Sequence, residues 1–231
     1  MSTELSNHSL DTLPPVIAID GPTASGKGTI AAQVAAALGY HYLDSGAIYR
    51  VLAVAAIQAN LDPDTAAHLS KLEVLAGDLP VRFEAEKVFL GKMDVSESIR
   101  SEEAGVMASR LAVIPSLRSL LLQRQRDFRQ APGLVADGRD MGSVVFPDAQ
   151  VKIFLTASAE VRAERRFKQL QGRGLSPDYS QLVADLQARD KRDSERAVAP
   201  LKPCKDSKVL DCSQRSIDEV VNTVLSWSKG T

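Results

Sequence analysis

One stretch constrains this chain more than any other: Gly21-Pro22-Thr23-Ala24-Ser25-Gly26-Lys27-Gly28-Thr29. It follows VIAID (16–20), a short apolar, β-branched run of the kind buried in a parallel sheet. It precedes TIAAQVAAAL (29–38), an alanine-rich helical segment stopped by Gly39. The spacing G-x-x-x-x-G-K between a strand and a helix forms a phosphate cradle. A small, highly charged anion needs many donors converging on it. A glycine-rich turn lets backbone N–H groups point inward, and the helix N-terminus adds a favourable dipole. Lys27 then reaches the anion as a mobile point charge. The loop departs from the general pattern at Gly28, where Ser or Thr ordinarily helps to hold a metal ion. Any Mg²⁺ is therefore expected to be held mostly through phosphates and water.

The strand-then-helix alternation recurs. Residues 40–44 (YHYLD), 134–137 (LVAD), 151–155 (VKIFL) and 209–211 (VLD) read as short strands, and 47–60, 159–170 and 217–227 as helices. In the last helix Ile217, Val220, Val221, Val224 and Leu225 recur at helical spacing, with Ser216 placed to cap its start. This pattern predicts an α/β fold, a parallel sheet with helices on both faces. Two stretches break the rhythm. Residues 72–100 include VRFEAEKVFLGKMDV, which alternates like a small antiparallel ribbon and reads as an inserted subdomain. From Gly172 the chain is first glycine- and proline-bearing, then Arg-rich and helical up to about residue 200. Residues 1–14 are polar and read as a disordered tail.

Charge and composition exclude several classes. With 28 basic and 29 acidic residues the net charge is −1, so no global field draws the chain toward nucleic acid or a membrane. Aromatic content of 5% is too low for a stacking platform for single strands. Cys204 and Cys212 make neither a disulfide framework nor, with His68 the nearest histidine, a zinc site. The N-terminus carries no signal-peptide pattern, and no apolar run reaches the roughly eighteen residues needed to span a bilayer, so the cytoplasm is the expected location. There is no N-K-x-D or D-x-x-G motif, which disfavours a GTPase switch.

Further polar residues fall in suggestive places. Asp137, Arg139 and Asp140 follow a strand, and such sheets bind ligands at the C-terminal ends of their strands; a charged surface loop is the bland alternative. Arg189, Arg192, Asp193 and Arg196 share one helix face, which fits either a binding surface or a solvated ion-pair ladder. Ser45 and Arg50 open the second helix, with Ser45 a candidate N-cap. His41 and His68 receive no role, and Tyr49 and Phe128 read as packing residues.

Four blocks, DGPTASGKGT, LDSGAIYR, ADGRDMGSVVFP and RDKRDSERAVAPL, together resemble the bacterial cytidylate kinases of the nucleoside monophosphate kinase family, from about Val16 to the last helix. The resemblance implies a P-loop NTPase-type five-stranded parallel sheet over residues 15–231, with an acceptor-binding insertion near 72–100 and a short lid near 172–196. It implies transfer of the γ-phosphoryl group of ATP to CMP or dCMP with Mg²⁺, by a cytoplasmic monomer that binds neither nucleic acid nor membrane. It makes Gly21, Pro22, Thr23, Ala24, Ser25, Gly26, Lys27, Gly28 and Thr29 the ATP-binding loop. It assigns Ser45, Arg118, Asp140 and Arg196 to the cytosine ring, Arg50 and Arg139 to the acceptor phosphate, and Ser109, Arg189 and Asp193 to the sugar. Lys27, Arg50 and Arg139 would carry the chemistry, with no protein group dedicated to the metal. The competing expectations are a kinase for shikimate or UMP, and a non-catalytic nucleotide-sensing module.

Overall fold

A computed structural model describes residues 13–84 and 87–229. The tail expected over residues 1–14 therefore lies outside the described residues except for Leu13 and Pro14. The chain begins with β1 (Val16–Asp20), α1 (Lys27–Leu38), β2 (His41–Asp44) and α2 (Ser45–Gln58). It continues with α3 (Leu69–Gly77), β3 (Val81–Glu84), β4 (Lys87–Leu90), β5 (Met93–Asp94), α4 (Glu102–Leu111) and α5 (Pro115–Arg126). It closes with β6 (Leu134–Gly138), β7 (Val151–Thr156), α6 (Ala159–Gln171), α7 (Tyr179–Ser194), β8 (Lys208–Asp211) and α8 (Ile217–Ser228).

Five strands form one sheet in the order β2-β6-β1-β7-β8, and every pairing in it is parallel. The central strands β1 and β6 are buried along their whole length, which is why they read as apolar runs rather than alternating ones. Their side chains still divide by face. Val16 and Ala18 join Leu43, Leu134 and Ala136 in a core under α2, α4 and α5. Ile17 and Ile19 join Val135 and Ile153 in a second core under α1 and α8. Helix α8 holds its place through Val220, Val221 and Val224, buried on one face with Leu225 packed beside them, and through a reciprocal capping box between Ser216 and Glu219.

Register decides where a ligand can sit. Asp20 pairs with Gly138 and Asp44 with Asp137, so β1, β2 and β6 end at one level. The loops that leave those ends, starting at Gly21, Ser45 and Arg139, open side by side on one edge of the sheet.

The expected ribbon exists but is shorter than 72–100. It is a three-stranded antiparallel sheet, β3-β4-β5, spanning Val81 to Asp94. Residues 72–77 belong instead to α3, whose Leu72 and Ala76 are buried in the core. Residues 101–130, which carry no sequence assignment, fold into α4 and α5. Ser101 caps α4 by accepting from Ala104 N at 3.1 Å. Pro115 starts α5, where its missing N–H costs nothing.

Candidate active site

The glycine loop wraps the N-terminus of α1. Gly26 takes φ 93°, a left-handed conformation that penalises any side chain, and no side-chain hydrogen bond caps the helix. The helix's first N–H groups are thus left for an incoming anion. Gly21 is required for space: a Cβ there would lie 2.0 Å from the Leu155 carbonyl oxygen of β7. Gly21→Ala is accordingly expected to destabilise the chain by about 3 kcal/mol or more, because backbone must move. Urea denaturation measures this, and an unchanged midpoint would contradict it.

Lys27 is buried, and its Nζ donates back to the Pro22 carbonyl at 3.2 Å. Burial, then the Arg139 guanidinium, pulls its pKa down to about 7. Two arginines of α6 brace the loop from behind. Arg162 donates to the carbonyls of Ala157 (3.0 Å) and Thr23 (3.3 Å) and to Asp190 Oδ2 (2.6 Å). Arg165 donates to the carbonyls of Ser25 (2.9 Å) and Cys212 (2.8 Å).

A cavity of about 860 Å³ runs from this loop to the gap between α4, α5 and α7. All nine residues that the sequence singles out for the acceptor line it: Ser45, Arg50, Ser109, Arg118, Arg139, Asp140, Arg189, Asp193 and Arg196. Residues 23–29 of the loop line it too, whereas Gly21 and Pro22 lie outside the lining and shape the loop from below. Among the described residues, three buried guanidinium nitrogens, Arg50 Nε, Arg189 Nε and Arg196 Nη2, find no hydrogen-bond partner. Buried donors left unpaired cost about 1–3 kcal/mol each, so their persistence points to an anionic or polar ligand.

The remaining charges hold one another. Asp140 and Arg118 form a buried ion pair, and Arg118 Nη1 also donates to the Ala112 carbonyl at 3.2 Å. Arg139 Nε donates to Asp193 Oδ2 at 2.9 Å. Against the opposing effect of burial, Asp193 holds the Arg139 pKa above its usual value. Burial, then Arg139, lowers Arg189 to about 10.

Two local readings of the sequence change. The N-cap of α2 is Asp44, which accepts from Ala47 N at 3.0 Å, and Ser45 is the first helical residue. Helix α7 ends at Ser194, so Arg196 reaches the cavity from beyond it, with Nε on the Asp193 carbonyl at 3.2 Å.

Sequence reasoning missed Asp20. It ends β1 and accepts from Met141 N (2.8 Å) and Gly142 N (2.9 Å), which pins the segment carrying Arg139 and Asp140 beside the glycine loop. Burial pushes its pKa up to about 7 against those two N–H groups. A carboxylate closing an otherwise apolar strand was the available signal.

A parallel sheet with a lysine-bearing phosphate loop at its C-terminal edge, facing an arginine-lined cavity, defines a P-loop phosphotransferase. A solved structure of an uncharacterized protein from Eubacterium ventriosum shares the fold, with a TM-score of 0.52 at 13% identity over 94% of this chain and 99% of that one. The family model for cytidylate kinase matches residues 17–229. The cytidylate kinase of Aeromonas hydrophila is 53% identical over 221 residues, 94% of this chain and 95% of that protein. That of Chromobacterium violaceum is 54% identical over 213 residues, 92% of this chain and 95% of that protein. The chain belongs to the cytidylate kinase family.

Proposed function

We propose that the two ends of this cavity seat the donor and acceptor of one reaction, in which the γ-phosphoryl group of ATP passes to CMP or dCMP, giving ADP and CDP or dCDP. The observation that carries the reading is that Arg50, Arg189 and Arg196, each with one buried guanidinium nitrogen that has no partner among the described residues, line the same cavity as the phosphate loop. Phosphoryl transfer asks an enzyme mainly to align two substrates and neutralise spreading negative charge. Lys27 and the N-terminal amides of α1 grip the triphosphate. Arg50 and Arg139 clamp the acceptor phosphate, with Arg139 held in place by Asp193.

The base is read at the far end. Cytosine presents an amine donor, which Asp140 accepts, and its N3 and O2 take donors from Arg118 and Arg196, with Ser45 alongside. Ser109, Arg189 and Asp193 meet the sugar. The adenine of ATP fits the opposite end, between Arg165, Arg215 and Ile217, all of which line the cavity.

Mg²⁺ arriving with ATP neutralises the phosphoryl oxygens. The donor set suits a metal held through phosphates and water. Among the described residues no cluster of three metal-ligating side chains exists, yet Asp44 and Asp137 stand side by side across β2 and β6 and both line the cavity.

Residues 172–196 act as the lid. This is supported by Arg173 and Arg189 in the cavity wall. In the insertion near 72–100, the described residues of the ribbon contribute packing and the flanking α4 and α5 supply the ligand contacts. Among the described residues no single helix is long and apolar enough to cross a membrane, in keeping with a cytoplasmic enzyme.

Steady-state ADP release with ATP·Mg²⁺ against CMP, dCMP, UMP and AMP tests the reading. CMP and dCMP should drive turnover, UMP much less, and AMP not at all. A preparation that binds ATP but releases no ADP in response to any acceptor would favour a sensing module.

A further inference from the structure

The glycine loop's one departure from the common pattern has a structural cause. A Cβ added at Gly28 would stand 3.2 Å from Asp137 Oδ2 and 3.5 Å from the Tyr42 hydroxyl oxygen. A serine or threonine there would crowd a hydrogen-bonded pair from the two neighbouring strands, which would have to give by a few tenths of an ångström. Tyr42 on β2 donates its hydroxyl to Asp137 Oδ2 on β6 at 3.0 Å. Tyr42 and Asp44, two residues apart on β2, share the face toward α1, and Asp44 pairs in register with Asp137. Like charges directly opposite repel across a sheet. Asp44 is already fixed, since its Oδ1 caps α2 at Ala47 N. Asp137 is held against that repulsion, and away from a swing onto the neighbouring Lys27 ammonium, by the Tyr42 hydroxyl. Asp137 lines the cavity and Tyr42 does not.

We propose that Tyr42 is a positioning residue for the metal-bound donor: its hydroxyl fixes Asp137 where the loop hydroxyl of other P-loop proteins would stand, so that a carboxylate from β6 meets the hydrated Mg²⁺ of ATP. Gly28 is the vacancy that admits it. The inference rests on the ATP·Mg²⁺ reading above and adds a residue that acts only through Asp137.

Tyr42→Phe removes one hydroxyl and keeps the ring. Calorimetric titration of ATP at a series of free Mg²⁺ concentrations, without acceptor, is the direct test. One lost hydrogen bond to a carboxylate should raise the Mg²⁺ midpoint for tight ATP binding about fivefold. KM for CMP should stay at the wild-type value, and any loss of ATP affinity without metal should be smaller than the loss with it. An unmoved Mg²⁺ midpoint, or an equal loss of ATP affinity with and without Mg²⁺, overturns the inference while CMP turnover by the wild type leaves the functional reading intact. A wild-type chain that binds no ATP overturns both.

Discussion

Lys27→Met is expected to lower kcat by about a thousandfold while leaving the empty protein as stable as the wild type or more so. The two halves of that result have one cause. Lys27 is a preorganised charged donor in a water-excluded cavity, and removing such a donor from a developing anion costs on the order of 10²–10³ in kcat. Without ATP the same ammonium is a buried charge whose one hydrogen bond among the described residues is to the Pro22 carbonyl, with Asp137 and Asp44 offsetting part of the cost of burial. Burial, then Arg139, lowers its pKa from 10.5 to about 7. A lysine with a folded pKa below its unfolded value destabilises the fold where it must be charged. The penalty is full below about pH 7, shrinks as pH rises through the window, and is gone above 10.5. The stability gained by Lys27→Met should therefore be larger at pH 6 than at pH 9, as read from urea midpoints at the two values. Methionine keeps the aliphatic stem, so packing is held nearly constant. A variant with kcat within tenfold of the wild type would remove Lys27 from the chemistry.

What the sequence makes legible follows from how strongly physics constrains each part. The phosphate loop is readable because converging amides, a helix start and a lysine admit one spacing. The central strands are readable because a parallel strand covered on both faces must be apolar throughout. Helix α8 shows itself by its five apolar positions and by Ser216. Helix α4 is harder to see although its buried face, Ala104, Gly105, Ala108, Ser109 and Leu111, recurs at helical spacing, because all but Leu111 are small residues that carry little apolar weight one by one. In α5 the apolar Leu117 and Leu121 enter the core, but the buried positions also include Arg118, which lines the cavity, and Gln125, which donates to the Leu121 carbonyl, and these polar residues interrupt the apolar pattern.

The Arg-rich stretch shows how far charge pattern alone reaches. In sequence it fits a binding surface or a solvated helix face. In the folded chain it divides among distinct tasks. Arg162 and Arg165 brace the glycine loop through its carbonyls, Arg166 crosses to Glu102, and Arg189 and Arg196 enter the cavity. Lys191, also in this stretch, is exposed on α7. Nothing local in sequence distinguishes Arg162 from Arg166. Their difference is set by which side of α6 meets the loop, a tertiary fact.

The second large effect is expected at Asp140, in base choice. Arg118 takes Asp140 Oδ2, which leaves Oδ1 to accept from the cytosine amine. Uracil places a carbonyl there, and two acceptors then face one another in a buried pocket. An unmatched buried polar pair costs about 1–3 kcal/mol, or roughly ten- to a hundredfold in kcat/KM. Asp140→Asn keeps the shape and can turn its amide toward that carbonyl. It should lower kcat/KM for CMP by about ten- to a hundredfold, leave UMP nearly unchanged or improved, and leave KM for ATP alone. Asp140→Ala separates this from stability. It strands the Arg118 guanidinium in the interior, and breaking a buried pair from one side costs about 3–5 kcal/mol. Asparagine, which still offers Arg118 an acceptor, should lose much less. If Asp140→Asn prefers CMP over UMP as sharply as the wild type, the base is read by Arg118, Arg196 and Ser45 without the carboxylate, and Asp140 serves only to hold Arg118 in the cavity wall.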